Sequence, residues 1–139
     1  MAAARWRPRV GRRGAALLFF ALLDLVYSYA LLNPPQPLTE TYLWSQTLLP
    51  LWAWAACWGA VGVACIVFAF LPRDTIAFTA VVGLMAAWGL LSLFGWLAGA
   101  VDRGYVSAVI WTAFAAFVYL IAGGIPAATP RKGRAWTRS

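Results

Sequence analysis

The chain has 139 residues, of which 63% are hydrophobic and only 11% are charged. A soluble domain of this size could not bury so much apolar surface, and a disordered chain would be polar and charge-rich, so both classes are excluded. An integral membrane protein is left, because lipid can cover the apolar surface. The formal charge of +7 does not indicate a nucleic-acid partner, since the basic residues cluster at the two ends of the chain, beside apolar runs.

Four apolar runs are each long enough to cross about 30 Å of hydrocarbon as a helix. They comprise residues 15–32, 51–71, 75–100 and 106–128. We therefore predict an all-α fold, an antiparallel four-helix transmembrane domain over residues 15–128. Basic tails flank it at residues 1–14 and 129–139. Only the first run contains a charged residue, Asp24.

The connections between the runs contain residues that end or begin helices. Prolines at 34, 35 and 37 end the first span after Asn33. The segment 38–50 predicts a turn or two of interfacial helix, with Trp44 at headgroup level. Asp74 is placed to cap the start of the third span. Because the connections 72–74 and 101–104 are short, we expect the second, third and fourth spans to be antiparallel neighbours.

The distribution of Arg and Lys predicts the orientation in the membrane. With the N-terminus inside, ten of the eleven basic residues lie on the inner side, and only Arg103 lies outside. The positive-inside rule therefore predicts cytoplasmic termini and a multi-pass protein of the cytoplasmic (inner) membrane. A cleavable secretory signal is the alternative interpretation of the first run, since Ser28 and Ala30 resemble a cleavage site. Asp24 within the apolar core argues against it.

Asp24 is the most informative residue in the sequence. It lies near the bilayer midplane, where an Asp costs about 2.5–3.5 kcal/mol to insert, and no span supplies a basic partner. We expect it to be protonated at neutral pH, with Ser28 on the same helix face and Tyr119 at a similar depth as the leading candidate partner. It is either a titratable group in a proton or solute path, or a hydrogen-bonded group that fastens the first helix to the bundle.

Small residues recur at four-residue spacing in three of the spans. Such rows let helix backbones approach closely in lipid. They are Ala56, Ala60 and Ala64 in the second span, Gly95 and Gly99 in the third, and Ala108, Thr112 and Ala116 in the fourth. The rows predict helix packing within the chain or association between chains, so a homo-oligomer is a second hypothesis.

The basic tails predict contact with the membrane surface as well as orientation. Close to anionic headgroups, each basic residue contributes about 1 kcal/mol of binding. The candidate headgroup-binding residues are Arg5, Arg7, Arg9, Arg12, Arg13, Arg131, Lys132 and Arg134. The predicted partners are therefore the lipid bilayer and its anionic headgroups, and no nucleic acid.

The sequence shows no pattern typical of catalysis or of metal binding. It contains no His, which excludes a Ser–His pair, and no phosphate-binding loop or nucleophile elbow. Cys57 and Cys65 lie about 12 Å apart along one helix, too far for a disulfide. We predict no enzyme activity, no metal site and no cofactor. Nine Trp favour an aromatic belt, although Trp58 and Trp88 could instead line a pocket for a lipophilic ligand.

Two segments begin the third and fourth predicted spans: Arg73-Asp74-Thr75-Ile76-Ala77-Phe78 and Arg103-Gly104-Tyr105-Val106-Ser107-Ala108-Val109-Ile110-Trp111. They resemble the corresponding segments of small four-helix membrane proteins from actinobacteria and their phages, and the resemblance covers residues 73–124 best. The phage members of that group would be suspected holins. The resemblance therefore implies a holin-like protein that oligomerises in the cytoplasmic membrane and permeabilises it for lysis.

Two alternatives stand beside the holin-like hypothesis. The first is a small oligomeric transporter or channel that uses Asp24. In scale it would be similar to the small multidrug resistance family, which carries a carboxylate in its first helix, although as Glu within a motif that is missing here. The second is an accessory subunit of a larger membrane or phage assembly.

Overall fold

The computed structural model describes residues 11–124, which form five helices and no strand. The helices are α1 (Arg12–Leu32), α2 (Glu40–Gln46), α3 (Leu51–Ala69), α4 (Thr75–Leu97) and α5 (Gly104–Gly124). All except α2 are long and apolar enough to cross a membrane, which confirms the predicted all-α fold with four spans. The short α2 lies where an interfacial helix was expected.

Local sequence sets where the helices begin and end. At the end of α1 the Asn33 backbone N–H still donates to Tyr29, and the prolines that follow stop the helix. Pro50 takes the extended conformation immediately before α3 begins. After α4, Gly99 adopts a φ of +71°, a left-handed conformation that favours glycine. The N–H groups of Gly99 and Ala100 donate back to α4, forming a Schellman motif.

The four spanning helices run in alternating directions and form two close pairs, α1 with α3 and α4 with α5. In the first pair, a Cβ at Gly62 would lie only 3.0 Å from the Leu25 side chain. In the second pair, a Cβ at Gly89 would lie 3.0 Å from the Thr112 hydroxyl. Glycine therefore brings both pairs of backbones together, as small residues do in lipid. The predicted neighbours α3 and α4 touch, but α3 packs more extensively against α1.

Aromatic rings connect the two helix pairs through the middle of the bundle. The centre of the Tyr27 ring on α1 lies 4.5 Å from that of Trp58, 5.5 Å from that of Trp88 and 5.1 Å from that of Trp111, so this one ring reaches all three other spans. Trp58 and Trp88 are buried and contact each other edge to face. Such ring pairs contribute about 0.5–1.5 kcal/mol each beyond the burial of their area.

The two ends of the bundle differ. We call the end where α1 begins and α5 finishes the tail end, and the end that carries α2 the loop end. At the loop end, the Trp44 indole N–H donates to the Leu91 carbonyl of α4 at 2.9 Å. The Trp54 indole N–H of α3 donates to the Ser45 carbonyl of α2 at 3.1 Å. The short α2 thus connects α3 to α4 across the gap between the pairs.

Candidate functional site

Asp24 is completely buried within the bundle. Twelve residues separate it from the first residue of α1, a rise of about 18 Å, which places it near the middle of the span. Neither carboxylate oxygen has a hydrogen-bond partner among residues 11–124. A buried polar group without a partner costs about 1–3 kcal/mol. The interpretation of Asp24 as a hydrogen-bonded fastener therefore lacks its partner in the described part of the chain.

Polar groups of α1 and α3 lie within about a turn of Asp24 along the helices. Ser28 lies one turn along α1 from Asp24, as predicted from the spacing, but its hydroxyl donates to the Ala55 carbonyl of α3 at 2.7 Å. That bond and the Leu25–Gly62 contact set the register of the pair, which places Asp24 level with residues 58–62 of α3. The buried Cys65 thiol lies about one turn further along α3, toward the tail end.

Trp58 provides a second orphaned group at this level of the bundle. Its side chain is completely buried, and its indole N–H has no acceptor among the described residues. The core of the α1–α3 pair therefore contains two acceptor oxygens and one donor, none of which is satisfied within residues 11–124. Native proteins leave few such groups, and each calls for a physical explanation.

Buried polarity is distributed unevenly on the two sides of Asp24. At its level and toward the loop end lie the polar groups of Tyr27, Ser28, Trp58 and Ser92. Between Asp24 and the tail end, the larger buried side chains are apolar apart from the Cys65 thiol: Leu17, Phe20, Ala69, Phe78, Val81, Met85 and Val118. Between Asp24 and the tail end, where Arg13 and Asp74 lie, the Cys65 thiol is thus the one buried hydrogen-bonding side chain among the described residues, whereas several such groups lie on the loop side.

The structure does not bring Tyr119 to Asp24. The Tyr119 side chain is 70% exposed, whereas α5 buries Ala115 and Val118. Consecutive helical residues are about 100° apart around the axis, so the residue after buried Val118 turns out of the bundle. Depth alone suggested the pairing, and the uniformly apolar sequence of α5 did not indicate which face is buried.

The predicted small-residue row of α3 does not face α1. Ala56 and Ala60 are exposed and Ala64 is half-buried. The contacts with α1 come instead from the neighbouring face, on which the Ala55 carbonyl and Gly59 adjoin Ser28. The row is therefore shifted by about one residue from the close interface, and its exposed members lie on the outer surface.

The remaining small residues have mixed positions. Gly95 is buried, with an α2 indole 2.8 Å from where its Cβ would stand, so it contributes to packing. Gly99 belongs to the turn after α4 and is exposed. Ala108 is buried against α4, and the Thr112 backbone adjoins an α4 glycine, whereas Ala116 is exposed. For Gly99 and Ala116 the predicted packing role within the chain is not found.

Arg13 forms an internal ion pair, which corrects its predicted role as a headgroup anchor. Its Nε and Nη2 donate to the two Asp74 carboxylate oxygens at 2.6 and 2.8 Å, and Nη1 donates to the Ala122 carbonyl at 2.7 Å. The guanidinium carbon lies 5.0 Å from the centre of the Phe78 ring. Only 14% of the Arg13 side chain and 13% of the Asp74 side chain are exposed. The pair joins the starts of α1 and α4 to the end of α5.

This pairing also changes the predicted role of Asp74. The residue stands at the N-cap position of α4, but its side chain makes no capping bond, because the carboxylate binds Arg13 instead. Arg12 is exposed, in keeping with a surface role. The other candidate headgroup residues, Arg5, Arg7, Arg9, Arg131, Lys132 and Arg134, lie outside the described residues.

No family model, curated protein or solved structure matches this chain. The resemblance of residues 73–124 to small four-helix membrane proteins therefore stays a prediction from the sequence. Within residues 11–124, no cluster of three His, Cys, Asp or Glu side chains could hold a metal ion. Asp24 and its surroundings are the part of the described chain that points to a function.

Proposed function

We propose that the chain is a small transport protein of the cytoplasmic membrane, in which Asp24 gains and loses a proton near the middle of the bilayer. The observation that carries this proposal is a completely buried carboxyl with no hydrogen-bond partner among residues 11–124. Ionisable groups inside spanning helices are costly and commonly mark proton relays or solute paths. A structural carboxyl would offset its cost through bonds to neighbouring helices.

A proton suits this site better than a bulky solute does. The rings around it are in contact, with Tyr27 and Trp58 centred 4.5 Å apart, and α1 approaches α3 closely through glycine. Binding a proton requires an acceptor atom but no cavity. Trp58 of the facing helix α3 carries an unpartnered N–H about one turn away, and after a local rearrangement this donor could stabilise an ionised carboxylate.

The uneven polarity supports a direction for proton exchange. The basic residues Arg12, Arg13 and Arg73 lie at the tail end and Arg103 lies at the loop end, which supports a cytoplasmic tail end. Asp24 would then exchange protons with the outside through the polar half of the bundle. Exchange with the cytoplasm would require the apolar half to open, and with it the Arg13–Asp74 pair that joins the two helix pairs at that end.

Infrared difference spectroscopy across a pH titration tests whether Asp24 titrates. In reconstituted wild-type protein, a band of a protonated carboxyl should disappear as the pH rises. The same band should be missing from Asp24→Asn and present in Asp102→Asn, which removes an exposed carboxyl from the α4–α5 connection. A wild-type spectrum from which Asp24→Asn removes no band over the whole pH range would show that the proposal is wrong.

Expression in cells tests transport itself. Wild-type protein should be tolerated and should confer uptake or efflux of a specific solute. Asp24→Asn should abolish that phenotype, because an amide cannot release a proton at physiological pH. The Asp102→Asn control should retain it. If Asp24 titrates but no transport is found, the proposed proton exchange would be retained and the proposed coupling to a solute would be wrong.

A holin-like oligomer that permeabilises the membrane is the second candidate. The outward position of Ala56, Ala60 and Ala116 favours it, because exposed small residues offer close contact to other copies of the chain. Induced expression should then leave growth normal until the membrane potential suddenly collapses, and Asp24→Asn should change the timing but not the lethality. If expression is harmless and the permeability of the membrane is unchanged, the holin-like candidate is wrong. If no transport is found either, a role as an accessory subunit is left.

A further inference from the structure

A groove of about 590 Å³ opens on the outer surface between α4 and α5, close to the tail end. Phe78 and Val82 of α4 and Leu120 of α5 form its apolar walls. Thr75 and Arg13 lie at its tail-end rim. Leu120 is 67% exposed, so this surface faces the bilayer when the helices span a membrane.

The polarity of the groove changes along its length. Thr75, at the start of α4, is at the level where a spanning helix meets the headgroups, and seven residues further Val82 lies about 10 Å deeper. Among the lining residues, the charged group therefore lies toward the membrane surface, and the deeper walls are apolar apart from Tyr119 and from Thr79, whose hydroxyl donates to the Thr75 carbonyl. A glycerophospholipid has the same order of groups, with phosphate at the surface and acyl chains below.

Two glycines keep the tail end of the groove open. A Cβ added at Gly123 or Gly124 would meet no atom of the described residues within 4 Å, so packing within residues 11–124 does not require glycine there. By contrast, a Cβ at Gly62 or Gly104 would press on a neighbouring helix. The missing side chains at 123 and 124 therefore leave room for a molecule outside the described chain.

The charge at the tail end favours an anionic headgroup. Arg12, Arg13 and Arg73 lie there, and Asp74 is the acidic residue that the described chain places beside them. The Arg13–Asp74 pair is neutral as a unit, which leaves the positive charge of exposed Arg12 and Arg73. Each arginine near the surface favours an anionic lipid over a zwitterionic one by about fivefold.

We propose that this groove binds one anionic glycerophospholipid. An acyl chain lies along Phe78, Val82 and Leu120, and the phosphate lies at the level of Thr75, near Arg12 and Arg73. This site is separate from Asp24 and does not depend on proton transport. It differs from a general attraction of the basic tails to the membrane, because it holds the acyl chain in a defined place.

Photocrosslinking of the full-length protein in bilayers tests the site. The probe is a phosphatidylglycerol with a photoreactive acyl chain, diluted into phosphatidylcholine, and mass spectrometry locates the adducts. Adducts should concentrate on the peptides that contain Val82 and Leu120. Unlabelled phosphatidylglycerol should compete at least about fivefold better than phosphatidylcholine.

A pair of variants separates the groove from the rest of the surface. Gly123→Leu should fill the groove and reduce the adducts by about fivefold or more. Ala113→Leu adds a similar side chain to an exposed position of α5 about 15 Å away and should leave the adducts unchanged. Circular dichroism should show equal helix content in both variants, since each position is exposed.

Several outcomes would overturn the proposal. Adducts spread evenly over the four spanning helices, or unaffected by Gly123→Leu, would show that lipid binds without a defined site. Equal competition by both lipids would refute the selection of an anionic headgroup. A wild-type groove that takes no probe would show that residues 125–139 or a second copy of the chain cover it.

Discussion

Replacing Asp24 with leucine removes a buried carboxyl whose oxygens have no partner among residues 11–124. Relief of an unsatisfied polar group is worth about 1–3 kcal/mol. The two side chains have the same branched shape, so the larger methyl groups of leucine cost about 1 kcal/mol in packing. The free energy of unfolding should therefore rise by about 1 kcal/mol. If Asp24 instead fastens α1 through a hydrogen bond, which is the other interpretation of the sequence, the same change would cost roughly 1–2 kcal/mol.

Unfolding in mixed micelles measures this difference. The mole fraction of dodecyl sulfate is increased while tryptophan fluorescence and circular dichroism report the bundle. Asp24→Asn should unfold close to the wild type, because an amide of the same shape replaces the carboxyl. Ser28→Ala is the contrasting control, since it removes the bond to the Ala55 carbonyl and should lower stability by about 0.5–1.5 kcal/mol.

The sign of the change in unfolding free energy caused by Asp24→Leu shows whether the carboxyl has a hydrogen-bonding partner. A loss of about 1–2 kcal/mol, together with normal stability of Asp24→Asn, would mean that the carboxyl has a hydrogen-bonding partner after all. The proposal that Asp24 serves proton exchange would then lose the observation that supports it. A gain in stability combined with loss of the infrared band would show that the residue is retained at a cost to the fold.

Variants at three contacts probe what holds the bundle together, and the same unfolding measurement follows each variant. Arg13→Gln and Asp74→Asn should each lower the free energy of unfolding by about 1–3 kcal/mol, because each breaks the same largely buried ion pair. The double variant should therefore lose less than the sum of the two single losses, and strict additivity would contradict this. Gly104→Ala should lower the free energy of unfolding by more than about 2 kcal/mol, since its Cβ would overlap the α4 backbone. The control Gly83→Ala, where the Cβ would stand in open space, should be neutral or stabilising. Equal effects of the two changes would show that the close contact at Gly104 does not matter for stability. Trp44→Phe should cost about 0.5–1.5 kcal/mol by removing the bond from α2 to α4, and unchanged stability would mean that this bond contributes nothing.

The sequence predicts the spans well because their signal is local. A run of apolar residues long enough to cross the bilayer must satisfy its own backbone, and a helix does so without any partner. The prolines after Asn33 then mark the end of α1 by conformation alone. For these reasons the observed α1 starts only three residues before the predicted 15–32 and ends at the same residue.

The faces of the helices are harder to predict than their positions. In a soluble helix, polar residues mark the exposed side, but α3 is apolar on every side, so its sequence does not distinguish Ala55 from Ala56. The same uniformity misplaced Tyr119 toward Asp24. Only Asp24 itself, as the one charged residue in an apolar run, indicated which side of α1 turns inward.

The Arg13–Asp74 pair escaped prediction for a different reason. The two residues are 61 positions apart, and each has an adequate local explanation, one as a topology signal and the other as a helix cap. Their meeting depends on α1 and α4 starting at the same end of the bundle and packing close enough for a side chain to reach. A single sequence contains no sign of that proximity.

The pairing of α1 with α3 has a consequence for how the protein is made. The close partner of α1 is completed about 40 residues later, so the ribosome needs about 2–8 s to supply it, whereas α4 and α5 can associate as a hairpin as soon as both are present. During that interval the face of α1 that carries Asp24 has no helix to cover it. We expect α1 to stay beside the insertion machinery until α3 emerges. A crosslinking probe at residue 24 of nascent chains should report that contact until α3 is complete, and earlier release would mean that α1 enters the lipid alone.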